Sequence, residues 1–259
     1  MNKETRKQKE ISFHDEVRSG KLKEEDFKKY QDFVARKRFY SIVKNSENFL
    51  QNFLIKNCHN KKVLDCGCGE GRISNFLAEN GADVVGIDIS PETIKVAKEK
   101  TANKNISFLV MDAEKMEFKD NFFDLIVCAG ILHHLDIKKT YPELKRVLKM
   151  DGKIICNEPL IHNPIFQLYR RLTPHLRTEW EAEHILSKND IELAEKYFGK
   201  IEKKFFYLFS LMAVPFSNKP RLFNTILATL TSIDSVVLKL PFIKWWAWQI
   251  IFILSQPKK

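Results

Sequence analysis

Short apolar segments alternate with helical segments between residues 62 and 157, and this alternation constrains the fold more than any other feature. The apolar segments are rich in Val, Ile, Leu and Phe, as strands buried on both faces are. We predict strands at 62–65, 83–88, 106–110, 123–129 and 153–157, with helices at 72–80, from 91 onward and at 140–149. Because parallel strands joined by helices form a doubly wound sheet, we expect an α/β domain with its ligand at the carboxyl ends of the strands.

The segments on either side of this region complete the predicted domain organisation. Residues 1–60 have helical patterning, at 22–40 and 48–57, and we expect this N-terminal extension to act as a lid or cap. Two further strands are predicted at 200–210 and 245–255, which makes a seven-stranded, mostly parallel sheet within residues 61–259. The elaborations on this domain are a polar connection at 158–186 and an apolar, helical insertion at 211–244.

Composition excludes several other classes of protein. The chain has 259 residues, of which 44% are hydrophobic and 29% charged, with only nine glycines and nine prolines, so collagen, low-complexity disorder and a disulfide scaffold are excluded. It has no uncharged apolar run of about 18 residues, so we do not expect a membrane-spanning helix. Since the first residues are also too polar for a signal peptide, we expect a cytoplasmic protein with reduced, structural cysteines.

The net charge of +10 is unevenly distributed along the chain. Residues 1–62 carry +7, residues 63–195 carry −5 and residues 196–259 carry +8. Two interpretations of the basic flanks remain open. They are either solvated helix faces or surfaces attracted to an anionic partner, which would be a membrane or a nucleic acid.

A glycine-rich turn joins the first predicted strand to the helix that follows. Gly67, Gly69 and Gly71 alternate with other residues, so the backbone can bend sharply and bring free N–H groups close to a bound anion. No Gly-Lys-Ser/Thr follows, which excludes a P-loop, and the third glycine comes one residue too early for the dinucleotide motif G-x-G-x-x-G. Asp65, two residues before the first glycine, would also repel a pyrophosphate.

S-adenosylmethionine fits this turn better, because it has no phosphate and carries a sulfonium, an ammonium and one carboxylate. Asp65 can anchor its amino end indirectly while N–H groups of the turn bind its carboxylate. Asp88, at the end of the second strand, can accept hydrogen bonds from both ribose hydroxyls. Asp112 follows the third strand and can accept from the adenine amino group, with the N–H of Ala113 facing a ring nitrogen.

Five segments of the chain resemble the successive motifs of the class I S-adenosylmethionine-dependent methyltransferases, especially those that methylate small molecules and lipids. They are VLDCGCGEGR, VVGIDIS, FLVMDAE, FFDLIVCAGILHHL and LKRVLKMDGKI, in the usual order, and the resemblance covers about residues 45–160. It implies a Rossmann-like methyltransferase fold in which the turn holds the methionine end, Asp88 the ribose, and Asp112 with Ala113 the adenine. The predicted cofactor-binding residues are Asp65, Gly67, Gly69, Arg72, Asp88, Ile89, Asp112, Ala113, Ala129 and Gly130.

The predicted catalytic residues follow the fourth and fifth strands. His133 and His134 come after the fourth strand, where an imidazole could accept a hydroxyl or phenol proton near neutral pH. Adjacent side chains cannot both face inward, and either histidine could instead cap the following turn. Glu158, at the end of the fifth strand, could orient an acceptor hydroxyl or amine, or make a capping contact. No His or Cys spacing fits a metal site, so we expect no metal.

The C-terminal region suggests the class of methyl acceptor. Residues 205–254 hold more aromatic side chains than a strand hairpin needs, so we predict that the 211–244 insertion forms an apolar pocket for a hydrophobic or lipid-linked acceptor such as a quinone or polyprenyl. Lys239, Lys244, Lys258 and Lys259 could hold this region near the headgroups on the inner face of a membrane.

Other functions stay open at this point. The pI of about 9.2 is compatible with a nucleic-acid (RNA) methyltransferase, although no N/D-P-P-Y/F segment follows the fourth strand and no RNA-binding module is evident. A non-catalytic S-adenosylmethionine-binding protein and an NAD-dependent dehydrogenase are the remaining alternatives. The sequence holds no signal for an oligomeric state.

Overall fold

A computed structural model describes residues 6–12, 15, 40–172, 180 and 184–258. Residues 6–12 are helical, and the next described helix begins at Lys44. The predicted helix at 22–40 and the terminal Lys259 lie outside the described residues, apart from Tyr40, which begins a short 3₁₀ turn.

The described residues form a seven-stranded sheet with helices on both faces. The strands are β1 (Lys62–Cys66), β2 (Asp83–Asp88), β3 (Ile106–Val110), β4 (Phe123–Ala129), β5 (Leu148–Pro159), β6 (Phe198–Phe206) and β7 (Gln249–Pro257). Their order across the sheet is β3-β2-β1-β4-β5-β7-β6. The first five strands are parallel, and β7 runs antiparallel to both β5 and β6. This is the predicted seven-stranded, doubly wound α/β fold.

The helices pack on the two faces of this sheet. They are α1 (Lys44–Cys58), α2 (Arg72–Glu79), α3 (Pro91–Lys100), α4 (Ile137–Val147), α5 (Pro164–Leu172), α6 (Lys188–Leu193) and α7 (Pro220–Val237). Short 3₁₀ turns occupy Tyr40–Ile42, Leu132–His134, Ala194–Lys196, Ser210–Phe216 and Ile243–Trp246.

Alternate residues of the central strands point into different halves of the core. Val63 packs with Leu54 of α1 and Leu77 of α2, whereas its neighbour Leu64 packs in the cluster that contains Leu144 of α4. All five side chains are almost completely buried. A parallel strand covered by helices on both faces is therefore apolar at consecutive positions, which is why the short hydrophobic runs predicted these strands correctly.

Local capping explains where several helices begin. The Ser90 hydroxyl accepts a hydrogen bond from the N–H of Thr93, 3.0 Å away, and Pro91 occupies the first position of α3. At α6, Ser187 and Asp190 form a reciprocal capping box. Because such caps satisfy N–H groups that have no partner inside the helix, they set the first residue of each helix.

The structure shifts some predicted boundaries. The helix predicted at 140–149 begins at Ile137 and ends at Val147, and β5 begins directly at Leu148, because Leu148 already pairs with Phe123 of β4. The last strand begins at Gln249 and not at 245, since a 3₁₀ turn covers Ile243–Trp246. The segment between the 158–186 connection and β6 forms two short elements, α6 and the 3₁₀ turn Ala194–Lys196.

The long connection between β6 and β7 lies at the carboxyl edge of the parallel strands. Phe206, the last residue of β6, pairs with Gln249, the first residue of β7, and Gln249 also pairs with Pro159 at the end of β5. The predicted insertion at 211–244 therefore extends over 207–248, and it leaves and rejoins the sheet at the edge where a doubly wound fold binds its ligand.

Candidate functional site

A cavity opens at the carboxyl ends of β1, β2 and β4. It is bounded by the glycine-rich turn, by the ends of β2 and β3, by the loop after β4 and by the helical segment 6–12. The lining residues are Arg6, Lys7, Glu10, Gly67, Gly69, Ile87, Asp88, Ile89, Thr93, Met111, Asp112, Ala113, Gly130, Ile131, His134 and Leu135. Seven of the ten predicted cofactor-binding residues belong to this set.

The glycines of the cavity wall are required by backbone conformation and space. Gly67 has a φ of +73°, and a Cβ there would lie 2.5 Å from Cγ1 of Ile131, which leaves no room for a side chain. Gly69 and Gly130 also have positive φ, but a Cβ on either would meet no protein atom within 4 Å. Since both residues line the cavity, the absence of side chains keeps that volume open for a ligand.

Two carboxylates stand at the ends of neighbouring strands. Asp88 accepts hydrogen bonds from the N–H of Gly69 at 3.2 Å and of Ser90 at 3.0 Å, one on each oxygen, so its orientation is fixed by the backbone. Asp112 accepts from the N–H of Glu114 at 2.9 Å through Oδ1, and its Oδ2 pairs with Lys7. Because a carboxylate oxygen can accept more than one hydrogen bond, both side chains keep capacity for a ligand's hydroxyl or amino groups.

Comparison with known proteins identifies the domain that carries this cavity. A family model described as a methyltransferase domain matches residues 64–156. An uncharacterised protein of Methanocaldococcus jannaschii is 35% identical over 128 residues, which are 46% of this chain and 53% of that protein. The ubiquinone/menaquinone biosynthesis C-methyltransferase of Rickettsia prowazekii is 37% identical over 110 residues, 38% of this chain and 44% of the relative.

Residues 64–156 thus match a methyltransferase domain, and the chain is similar to S-adenosylmethionine-dependent methyltransferases. The fold agrees with this assignment. The solved structure of geranyl diphosphate C-methyltransferase from Streptomyces coelicolor, which contains S-adenosylhomocysteine, superposes with a TM-score of 0.57 over 84% of this chain and 83% of that chain, at 11% identity. The matches to the curated relatives span about half of those proteins' length or less.

The donor set of the cavity fits S-adenosylmethionine, the cofactor of this family. Carboxylates suit the hydroxyl and amino groups of an adenosyl moiety, and the wall provided by Gly69 and Gly130 is free of side chains. Ala113 is 7% exposed and lies next to Asp112, so its backbone borders the same part of the cavity.

Asp65 lies behind the cavity wall and does not line it. The side chain is 2% exposed, and its Oδ2 accepts a hydrogen bond from the Ser74 hydroxyl at 2.6 Å. Burial raises the pKa of Asp65 to about 6, although the hydrogen bond from Ser74 acts in the opposite direction. The predicted indirect role stays compatible with this position, because the carboxylate sits beneath the glycine-rich turn.

Arg72 and Ala129 are also outside the cavity. Arg72 begins α2, its side chain is 79% exposed, and its guanidinium lies 3.8 Å from Glu47 of α1. It points away because residues at a helix start direct their side chains over the preceding surface, and here that surface belongs to α1. Ala129 ends β4 within the sheet, and Gly130 is the residue that reaches the cavity.

The two predicted histidines have different surroundings. His134 lines the cavity, and its Nδ1 lies 3.2 Å from Oε2 of Glu10. His133 is 9% exposed and does not line the cavity, because its Nδ1 lies 2.7 Å from Oε2 of Glu158 and its ring packs 4.2 Å from the His134 ring, centroid to centroid. The 3₁₀ turn Leu132–His134 carries both histidines with their rings in contact, and of the two only the His134 side chain lines the cavity.

Glu158 is fully buried beneath the loop after β4. Its Oε1 accepts hydrogen bonds from the N–H groups of Ile131 at 2.9 Å and Leu132 at 2.8 Å, while Oε2 contacts His133. All of these contacts are within the protein, so the carboxylate orients the loop and does not reach the cavity. The capping alternative considered for Glu158 describes its observed contacts.

The helical segment 6–12 supplies site residues that the sequence patterns did not indicate. Arg6 pairs with Glu114, Lys7 pairs with Asp112, and Glu10 contacts His134. The Glu114 side chain is 1% exposed, and burial alone would raise its pKa. The hydrogen bond from the N–H of Asp136 and the charge of Arg6 outweigh burial, so the pKa of Glu114 lies below its usual value.

The pairing of Glu114 could not be read from the sequence. The motif places it two residues after Asp112, but two of its basic partners, Arg6 and Lys7, are about a hundred residues earlier in the chain. A lid or cap role was predicted for residues 1–60. Within the described part of that extension, segment 6–12 borders the cavity, whereas α1 packs on a face of the sheet. Within the described residues, no group of three or more His, Cys, Asp or Glu side chains is arranged to hold a metal ion.

Proposed function

We propose that the protein transfers a methyl group from S-adenosylmethionine to a small hydrophobic acceptor. The observation that carries this proposal is the pair of backbone-oriented carboxylates, Asp88 and Asp112, at consecutive strand ends of a cavity whose wall is free of side chains at Gly69 and Gly130.

Each wall residue has a specific task in this proposal. Asp88 would accept hydrogen bonds from the ribose hydroxyls, because its two oxygens are held in fixed positions by Gly69 and Ser90. Asp112 would accept from the adenine amino group in place of Lys7, which occupies its Oδ2 in the structure. Met111, Ile89 and Leu135 add apolar surface on which a purine ring can pack.

Bound S-adenosylmethionine supplies a methyl group on a sulfonium, whose departure leaves a neutral thioether. The protein therefore has to align the acceptor and exclude water, and a base is needed only for a proton that leaves near the transition state. Of the two histidines, His134 is the one that can touch a reacting group, since it lines the cavity. Glu158 and His133 would position the loop that carries it.

Two observations favour a hydrophobic acceptor. The connection 207–248 lies at the same edge of the sheet as the cavity and exposes large apolar side chains, including Phe242 and Trp246. The relatives include proteins named for ubiquinone or menaquinone biosynthesis and for geranyl diphosphate methylation, and both names denote isoprenoid compounds. We expected the 211–244 insertion to form an apolar pocket. The cavity beside this connection is lined by lysines and asparagines as well as aromatic rings, so it is less apolar than expected.

The test is a methyl-transfer assay with the full-length protein and a panel of acceptors. We expect S-adenosylhomocysteine to form with a quinol or a polyprenyl compound and not with RNA or with short-chain, water-soluble phenols. Cofactor binding by calorimetry without product from any acceptor would support the non-catalytic alternative. Binding of a pyridine dinucleotide in place of S-adenosylmethionine would refute the cofactor assignment altogether.

A further inference from the structure

Helix α7 has an outer face that carries no charge. It has 18 residues, of which only Phe223 and Asp234 are buried. Between Arg221 and Lys239 the single charged residue is Asp234. Asp234 accepts hydrogen bonds from the N–H groups of residues 208–210, at 2.8–3.1 Å, and from the Ser210 hydroxyl at 2.6 Å. From Leu222 onward the exposed surface of α7 is therefore uncharged, whereas a helix exposed to water normally presents charged residues there.

Large apolar side chains stand exposed on the same connection. Phe242 and Trp246 follow α7 within ten residues, and they are 88% and 57% exposed. Further exposed apolar residues are Met212, Ile233, Val236 and Leu240. We call α7 and residues 238–246 together the apolar face. Single exposed apolar residues are common on protein surfaces. Several exposed aromatic and aliphatic residues on one connection indicate an interaction surface.

Basic residues lie beside the apolar face and at two positions within it. Lys203, Lys204, Lys239 and Lys244 line a cavity beside α7. The Nζ atoms of Lys203, Lys204 and Lys244 lie over aromatic rings, with Nζ of Lys204 4.2 Å from the ring centroid of Phe49. Such contacts place positive charge directly beside the aromatic surface.

The charge of this connection has one sign. Residues 207–248 contain four Lys or Arg residues, and Asp234 is their only acidic residue. Because Asp234 is buried and its carboxylate is hydrogen-bonded within the protein, the exposed charge of this connection is positive. Lys219 and Arg221 lie at the start of α7, and Lys239 and Lys244 follow its end, so basic residues flank the uncharged helix on both sides.

We propose that the apolar face docks onto an anionic phospholipid bilayer, with α7 lying in the interface and the flanking lysines contacting lipid phosphates. None of the helices in the described part of the chain has the length and apolarity needed to cross a bilayer. The apolar face is at the same sheet edge as the cofactor cavity, so docking would bring that edge to the lipid surface. This inference goes beyond methyl transfer and is tested without any acceptor.

The experiment measures binding of the full-length protein to vesicles of phosphatidylcholine with and without phosphatidylglycerol, by co-sedimentation and by tryptophan fluorescence. We expect binding to the anionic vesicles, a blue shift in the emission of Trp246, and weaker binding at high salt. Lys239→Glu/Lys244→Glu should lower the vesicle affinity at least about tenfold, because each basic residue near an anionic surface contributes roughly fivefold. Phe242→Ser should lower it by about tenfold or more through lost apolar burial.

Matched controls lie at the opposite edge of the sheet. Met150→Ser removes an exposed apolar side chain near the start of β5, and Lys104→Glu reverses an exposed charge before β3, so neither should change vesicle binding. Equal binding of the apolar-face variants and the wild type would overturn the proposal, as would absence of anionic-vesicle binding by wild-type protein. Concentration-dependent self-association that is lost in Phe242→Ser, without vesicle binding, would assign the face to a second copy of the chain and also overturn it. If Phe242→Ser does not fold, the lysine variant and the wild-type fluorescence decide the outcome.

Discussion

At the scale of single residues, the most informative positions are those where two neighbours differ in role. His134 lines the cavity while His133 is held beneath it by Glu158, and Gly130 lines it while Ala129 does not. Asp88 is the last residue of β2 and Asp112 follows β3 by two residues, so both lie at the carboxyl edge of the sheet, where the cavity opens. Their oxygens are held by backbone N–H groups, which limits their motion before any ligand arrives.

Asp88→Ala should weaken S-adenosylmethionine binding by about 100-fold, because two hydrogen bonds to a charged acceptor are lost. The fold should persist, since the side chain lies at an exposed strand end. Asp83→Asn is the control, because Asp83 begins the same strand at the opposite edge and is exposed. Calorimetry that gives the same dissociation constant for Asp88→Ala and wild type would show that Asp88 does not bind the ribose.

His134→Ala should lower kcat by about 100-fold with little change in cofactor affinity, if the imidazole accepts a proton. Glu158→Gln should shift the pH profile of kcat, because Glu158 contacts His133 and orients the loop without reaching the cavity. His162→Ala is the matched control, since His162 is exposed and lies outside the cavity. Full turnover in the His134 variant would leave alignment as the whole mechanism.

At the scale of elements, the strand ends determine the site and the strand centres determine stability. Cys66, Cys128 and Cys156 lie side by side at paired positions of β1, β4 and β5, beneath the loops that form the cavity. All three thiols are completely buried. The contact with Cys128 together with burial raises the pKa of Cys66, and burial raises the pKa of Cys156. These cysteines are packing residues of the sheet.

We expect the protein's thiols to resist Ellman's reagent in the native state, because all five cysteines are buried and the thiolate is the reactive form. In guanidinium chloride all five should react. Cofactor binding should further slow any reaction at Cys68, which lies in the glycine-rich turn. Rapid labelling of the native protein at Cys66 or Cys156 would mean that the central strands open on the timescale of the assay.

At the scale of the whole molecule, the amino edge and the carboxyl edge of the sheet carry different features. Exposed ion pairs such as Lys62 with Asp83 lie at the amino edge, whereas the cofactor cavity and the connection 207–248 share the carboxyl edge. This arrangement follows from topology, since β6 ends and β7 begins where the parallel strands end. The buried carboxylate of Asp65 places a titratable group at the end of a central strand, beneath the glycine-rich turn.

Asp65 should make the free energy of unfolding fall as the pH rises from about 4 to about 6. Its native pKa of about 6 exceeds its ordinary value of 3.8, so the native state binds more protons than the unfolded state in this range. Asp65→Asn should therefore gain stability relative to wild type, by about 2 kcal/mol more at pH ~7.5 than at pH ~4.5. Urea denaturation of the cofactor-free protein at both pH values measures the difference. A constant difference would mean that Asp65 titrates normally, and Asp83→Asn is the control.

The sequence by itself determined the order and type of most elements and the chemistry of the cofactor cavity. Buried parallel strands are apolar at consecutive positions, and a glycine-rich turn with a carboxylate at the following strand ends is a local pattern, so both are visible without the fold. Tertiary structure alone decided that His134 lines the cavity and that Glu158 and Arg72 do not. It also decided that Arg6 and Lys7 pair with residues about a hundred positions later in the chain, and that α7 stays exposed. Those outcomes depend on contacts between distant segments, and an apolar helix has the same sequence pattern whether another element covers it or not.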